Sequence, residues 1–123
     1  MWAINNYKMG LLDKLFGKKA EPEHAVIAHF NYNKDDLQPL HDLEDRLEKE
    51  IEKRKIGIYD GHEVATDYSD GFIYMYGPNA EVLFKGVKDI LESTDFMIGS
   101  TIKLRFGPPE DGVKEIEIKI PED

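Results

Sequence analysis

The apolar positions change their spacing along the chain, and the changes mark separate elements. Residues 25–32, AVIAHFNY, are rich in β-branched and aromatic side chains, which predicts a first strand. A helical period follows, in which apolar residues recur three or four positions apart. We predict a helix that begins after an Asp36 N-cap, ends near Lys55 and is stopped by Gly57. Its apolar face consists of Leu37, Leu40, Leu43, Leu47 and Ile51.

The second half of the chain repeats this change of period. Residues 58–76 contain two β-prone segments separated by a Ser-Asp-Gly turn, which predicts a hairpin. Asn79 is the predicted N-cap of a second helix. Residues 101–106 alternate polar and apolar side chains, and residues 115–120 do so again after a Gly-Pro-Pro break, which indicates two half-buried strands. The apolar face of the second helix consists of Ala80, Leu83, Phe84, Val87, Ile90 and Leu91.

The resulting order is β-α-β-β-α-β with one further strand. Its simplest packing places both helices on one face of an antiparallel sheet, in which the first and third strands are central. We therefore predict an α+β fold, a ferredoxin-like βαββαβ domain with an extra C-terminal antiparallel strand, over residues 23–123. Residues 1–22 are predicted to be a flexible amphipathic leader and linker.

The sheet face away from the helices is the predicted binding surface. Successive strand residues point to opposite faces, so packing Ile73 and Met75 under the helices leaves tyrosines and cations on the other side. The first strand contributes either His29 or else Phe30 and Tyr32. The same tyrosines also fit ordinary cross-strand packing. The predicted binding residues are Tyr74, Tyr76, Arg105, Lys103 and Tyr32.

Composition narrows the kinds of partner. The 123 residues include 25 acidic and 16 basic side chains, a formal net charge of -9. An acidic protein repels phosphate backbones, so we expect no nucleic-acid partner. Some sheets of this arrangement stack RNA bases on the aromatic residues of an RNP motif, and no segment of this sequence resembles that motif. The sequence has no cysteine and no apolar segment near the roughly 20 residues that span a bilayer, which favours a cytoplasmic protein.

Residues 57–63, GIYDGHE, hold the densest group of polar side chains. Asp60 and His62 are two positions apart and share one side of an extended strand, with Glu63 on the other. A carboxylate beside an imidazole can orient a general base, so a small hydrolase or lyase that uses His62 with Asp60 and Arg105 is one hypothesis. No zinc motif or nucleophile elbow accompanies them. We predict no metal and no cofactor, and structural hydrogen bonds explain these residues more simply.

A basic amphipathic segment lies in the leader, at residues 9–19, MGLLDKLFGKK. It lacks the features of a secretory signal, and Met9 is a second candidate for the native start. Such a segment can contact an anionic membrane, which is a further hypothesis, although fraying or docking onto the domain is the simpler explanation. The apolar residues for membrane contact are Leu11, Leu12, Leu15 and Phe16.

Three short strings within residues 40–120 carry a resemblance. They are DGHE at 60–63, YGPNA at 76–80 and RFGPP at 105–109. Their pattern, DG-x-E, YGP-[ND]-A and R-[FY]-G-P-P, resembles that of a family of small bacterial α+β proteins with no named activity. The resemblance implies a bacterial cytosolic domain and supplies no catalytic residues. It draws attention to Asp60, Glu63, Tyr76, Gly77, Pro78 and Arg105.

The leading functional hypothesis is a non-enzymatic protein-interaction or regulatory domain. It rests on the aromatic, Arg-bearing sheet face and on the missing nucleophile and metal motifs. The domain would use that face to form a homodimer or to bind another protein. A narrower version is an acidic immunity-type protein that neutralises a basic toxin.

Overall fold

The computed structural model describes residues 2–4 and 24–121. This part of the chain is an α+β domain with two helices and an antiparallel sheet, which confirms the predicted class. Neither of its helices has both the length and the apolar character that crossing a bilayer requires. In chain order the elements are β1 (Trp2–Ile4), β2 (His24–Asn31), α1 (Gln38–Arg54), β3 (Ile58–Ala65), β4 (Asp70–Gly77), α2 (Ala80–Glu92), a 3-10 turn (Asp95–Met97), β5 (Thr101–Arg105) and β6 (Glu115–Lys119).

The strands are ordered β1-β3-β4-β2-β5-β6, and every neighbouring pair is antiparallel. The first and third strands of the predicted domain, β2 and β4, are central, as the sequence pattern indicated. Strand β1 was not predicted, and it extends the sheet where Trp2 pairs with Ala65. The rest of the leader lies outside the described residues, with the proposed membrane contacts Leu11, Leu12, Leu15 and Phe16.

The helix starts follow from local capping chemistry. The Asn79 side chain accepts a hydrogen bond from the backbone N–H of Val82 at 3.1 Å, as expected for an N-cap. At the start of α1, Leu37 occupies the N-cap position and provides no side-chain bond. The Asp36 carboxylate instead accepts from the Gln38 N–H at 2.9 Å, so Asp36 satisfies a helix donor from one residue earlier.

Helix α1 ends near Lys55 as predicted, but Gly57 is not the residue that ends it. The chain turns at Lys55, which adopts the left-handed conformation with φ 57°, two residues before Gly57. Gly57 is needed for another reason, because a Cβ atom there would lie 2.2 Å from the carbonyl oxygen of Tyr76. The glycine therefore lets the chain that enters β3 pass close to β4.

Both helices pack on one face of the sheet, and burial follows strand alternation. Seven strand residues on that face are at most 2% exposed: Val26, Ala28, Phe30, Ile73, Met75, Ile102 and Leu104. This confirms the partition predicted for β4 and β5. We call the opposite surface the open face, and its central residues are Ile27, His29, Phe72, Tyr74, Tyr76, Thr101, Lys103 and Arg105.

This partition predicts unequal stability effects at two positions of the sheet. Ile73→Ala, on the helix-covered face, should lower the free energy of unfolding by about 2–5 kcal/mol, because it leaves a cavity in the core. Lys103→Ala, on the open face, should lower it by less than about 1 kcal/mol. Urea unfolding of both variants and the wild type measures the difference. Equal losses would contradict the assignment of the two faces.

Candidate functional site

The open face consists of three rows of side chains that cross the central strands. In each row the β2 residue lies between an aromatic residue of β4 and a polar residue of β5. Aromatic rings therefore line the β4 side of the face, and two cations and a threonine line the β5 side. The rows are Tyr76–Ala25–Arg105, Tyr74–Ile27–Lys103 and Phe72–His29–Thr101.

Three rings of this face stack on one another. The His29 and Phe72 rings are 4.4 Å apart between centroids and 18° from parallel, and the Phe72 and Tyr74 rings are 6.2 Å apart and 19° from parallel. His29 is further held by Asp70, with 2.7 Å between Nε2 and Oδ2, and the Tyr74 hydroxyl donates to Glu63. We call His29, Phe72 and Tyr74 the aromatic row. Its rings are fixed in orientation and at least partly exposed, so it offers a preordered apolar surface.

An open depression of about 330 Å³ adjoins the aromatic row. Its charged residues are Lys103 and Glu117. The Lys103 ammonium lies 3.9 Å from the Glu115 carboxylate, and both side chains are more than 40% exposed. Exposed pairs of this kind contribute little free energy, so Glu115 holds the Lys103 side chain only weakly.

At the Tyr76 end of the open face, Tyr76 lies close to two charged residues, Asp60 and Arg105. Burial raises the pKa of the Tyr76 phenol; the negative charge of Asp60 raises it further, and Arg105 opposes the shift. Asp60 is the extra residue of a β-bulge in β3 and is 4% exposed. The Arg105 Nε donates to the Gly107 carbonyl at 2.8 Å. These contacts hold Tyr76 and Arg105 in place at this corner of the sheet.

The assignment of Tyr32 to the binding surface is wrong. Tyr32 is 4% exposed and packs edge-to-face against Phe96 and Tyr68 in the core. Its hydroxyl donates to the Asp36 carbonyl at 2.6 Å, so its polar end is satisfied internally. Of the two alternatives for the first strand, the structure places His29 on the open face. Tyr32 is two positions after the buried Phe30 and lies on the same, helix-covered side.

The proposed catalytic group is not assembled. His62 pairs with Ile73 and lies on the helix-covered side of the sheet, whereas Arg105 lies on the open face. His62 Nδ1 is 2.9 Å from a Glu44 carboxylate oxygen, and the same oxygen accepts from the Tyr59 hydroxyl at 2.5 Å. This cluster ties α1 to β3.

Glu63 is the remaining polar residue of the segment at 57–63. Glu63 lies on the open face as acceptor for Tyr74. Among the residues that the structure describes, no three His, Cys, Asp or Glu side chains are grouped so that they could hold a metal ion.

Two functional features escaped the sequence reasoning. Strand alternation predicts that Phe72 lies on the same face as Tyr74 and Tyr76. Its stacking on His29, however, depends on the β2–β4 register. Glu44 is 18 residues from His62 and comes from another element. Glu44 is one of many acidic residues on α1, and no pattern in the sequence distinguishes it from the others.

Comparison of the chain with protein-family models, with curated proteins and with solved structures finds no match. The resemblance to a family of small bacterial proteins therefore stays a prediction.

The contact between His62 and Glu44 predicts a pH-dependent contribution to stability. The hydrogen bond to Glu44 raises the pKa of His62; burial opposes the shift, and the negative charge of Glu44 adds to it. A pKa raised by folding stabilises the native state fully below the unfolded value of about 6.5, and this stabilisation is lost as the pH rises through the folded value.

We therefore expect the stability difference between wild type and His62→Gln to be larger at pH 5.5 than at pH 8.5. Urea unfolding of both proteins at each pH gives that difference and cancels the titration of other groups. A difference that is constant across this range, or that grows towards high pH, would show that the imidazolium form is not favoured by Glu44.

Proposed function

We propose that this chain is a non-enzymatic protein-interaction domain that binds a partner protein through the open face of its sheet. The observation that carries the proposal is the aromatic row, in which His29, Phe72 and Tyr74 are stacked and oriented away from the core. Rigid aromatic surfaces lose little conformational entropy on binding and recur at the energetic centres of protein interfaces. No helix of the described part of the chain packs on this surface.

The chemistry of the face indicates what it binds. The aromatic row and Ile27 offer apolar contact, and Lys103 lies across β2 from Tyr74. A partner that fits presents a flat apolar surface with a carboxylate beside it. Helices already bury the opposite side of the sheet, so the aromatic row is not required to complete the core.

The overall charge supports a narrower form of the proposal. With a formal net charge of -9, the protein attracts a basic partner over long range, as an immunity-type protein that neutralises a basic toxin would. Association with such a partner should slow as salt is added, because screening weakens the long-range attraction.

We also propose that the domain belongs to the ferredoxin-like arrangement, extended by a strand at each edge. What supports this is the order β3-β4-β2-β5 within the sheet, together with two helices that share one face. In other proteins, sheets of this kind bind on the face that their helices leave open.

The proposed function predicts a loss of binding when the aromatic row is removed. Phe72→Thr/Tyr74→Thr keeps strand propensity and leaves the buried face unchanged. Val82→Thr is the matched control, since Val82 is 46% exposed on α2. A partner captured by the full chain from cells and then purified should bind the double variant at least tenfold more weakly, because two aromatic anchors are lost, while the control binds as wild type does.

Calorimetric titration with the purified partner measures both affinities, and circular dichroism checks that each variant is folded. Capture that does not distinguish the double variant from the wild type would contradict the proposal. So would a full-length protein that captures no specific partner.

A further inference from the structure

Strand β6 forms an outer edge of the sheet. Its five residues pair with β5 in a continuous register, without a bulge and without a proline inside the strand. Within residues 2–4 and 24–121, no strand pairs with its other side. Bulges and prolines are common means of preventing edge strands from pairing, and β6 has neither.

The backbone of β6 alternates between groups directed at β5 and groups directed outward. The Ile120 N–H donates to the Ser100 carbonyl at 3.0 Å, and the Lys114 carbonyl accepts from the Phe106 N–H at 2.9 Å. Even-numbered residues therefore use their backbone groups within the sheet. In an antiparallel ladder, the odd-numbered residues between them direct N–H and C=O to the outside. These are Glu115, Glu117 and Lys119.

Strand β6 carries both acidic and basic side chains along its length. Glu115 lies near Lys103, but the Glu117 carboxylate makes no ion pair within the described residues, and Lys119 reaches only the Gly99 carbonyl at 3.4 Å. Charged side chains on an edge strand normally oppose pairing. Glu117 and Lys119 are two positions apart. If the strand pairs with its own copy in antiparallel orientation, centred on the residue between them, each of these side chains faces the opposite charge.

We propose that β6 pairs with β6 of a second copy of this chain, antiparallel and about a twofold axis at Ile118. Glu117 then faces Lys119 of the partner subunit, Lys119 faces the partner's Glu117, and their outward backbone groups form the new ladder. On the helix-covered side, Ile118 meets Ile118 of the partner subunit, and Ile116, which is 41% exposed, becomes covered. A twofold axis at Glu117 would instead place two carboxylates opposite each other.

The dimer is distinct from the open-face function, because it uses the edge of the sheet and not the aromatic row. It joins two sheets into one and places two open faces side by side. Phe72→Thr/Tyr74→Thr should therefore leave the dimer intact, which separates failure of one proposal from failure of the other.

Charge exchange at the two positions tests the pairing and its register. Glu117→Lys places lysine opposite lysine, and Lys119→Glu places glutamate opposite glutamate, so each variant should dimerise at least about tenfold more weakly than wild type. An equimolar mixture of the two should form a heterodimer, because every cross-strand pair is then lysine with glutamate. The double variant Glu117→Lys/Lys119→Glu should recover the homodimer.

Sedimentation velocity over a concentration series measures these equilibria on the full chain. Glu117→Pro adds a backbone test, since it removes an outward N–H and no bond to β5, and it should abolish the dimer while the fold is kept. A monomeric wild type at every concentration would overturn the proposal. So would a dimer that the single charge variants do not weaken, or a mixture that stays monomeric. These charge variants test the pairing even if Glu117→Pro does not fold.

Discussion

The burial of alternate strand residues under two helices is the constraint on which the rest of the structure depends. Ile73 and Met75 on β4 are completely buried, as are Val26 and Ala28 on β2. A shift of one residue in either strand would expose this set and bury the intervening polar ones, so the apolar contacts determine the register. The register in turn determines which side chains share the open face.

The same constraint divides the polar chemistry of the chain between two surfaces. Glu44, Tyr59 and His62 form hydrogen bonds on the helix-covered side, where they fasten α1 to β3. The aromatic row lies on the other side, with Lys103 opposite it. His62 and Arg105 therefore lie on opposite faces of the sheet, and they do not form a general-base group.

The open face and the edge of β6 are complementary in geometry. The open face presents side chains perpendicular to the sheet, whereas β6 presents backbone donors and acceptors in its plane. The aromatic row takes no part in the proposed pairing of β6, although Glu117 borders both surfaces. A pair of domains joined through β6 would carry two copies of the aromatic row on one continuous sheet, which suits a bivalent or elongated partner.

Short-range pattern was enough to predict the helices, the Asn79 cap and the faces of β4 and β5, because period and capping are local properties. It was not enough for β2, where both alternating sets contain apolar residues; packing against Phe96 and Tyr68 decided that Tyr32 is buried and His29 exposed. Strand β1 and the His62–Glu44 contact likewise join segments far apart in the chain. Such pairings depend on the three-dimensional approach of distant elements, and no local spacing of residues encodes that approach.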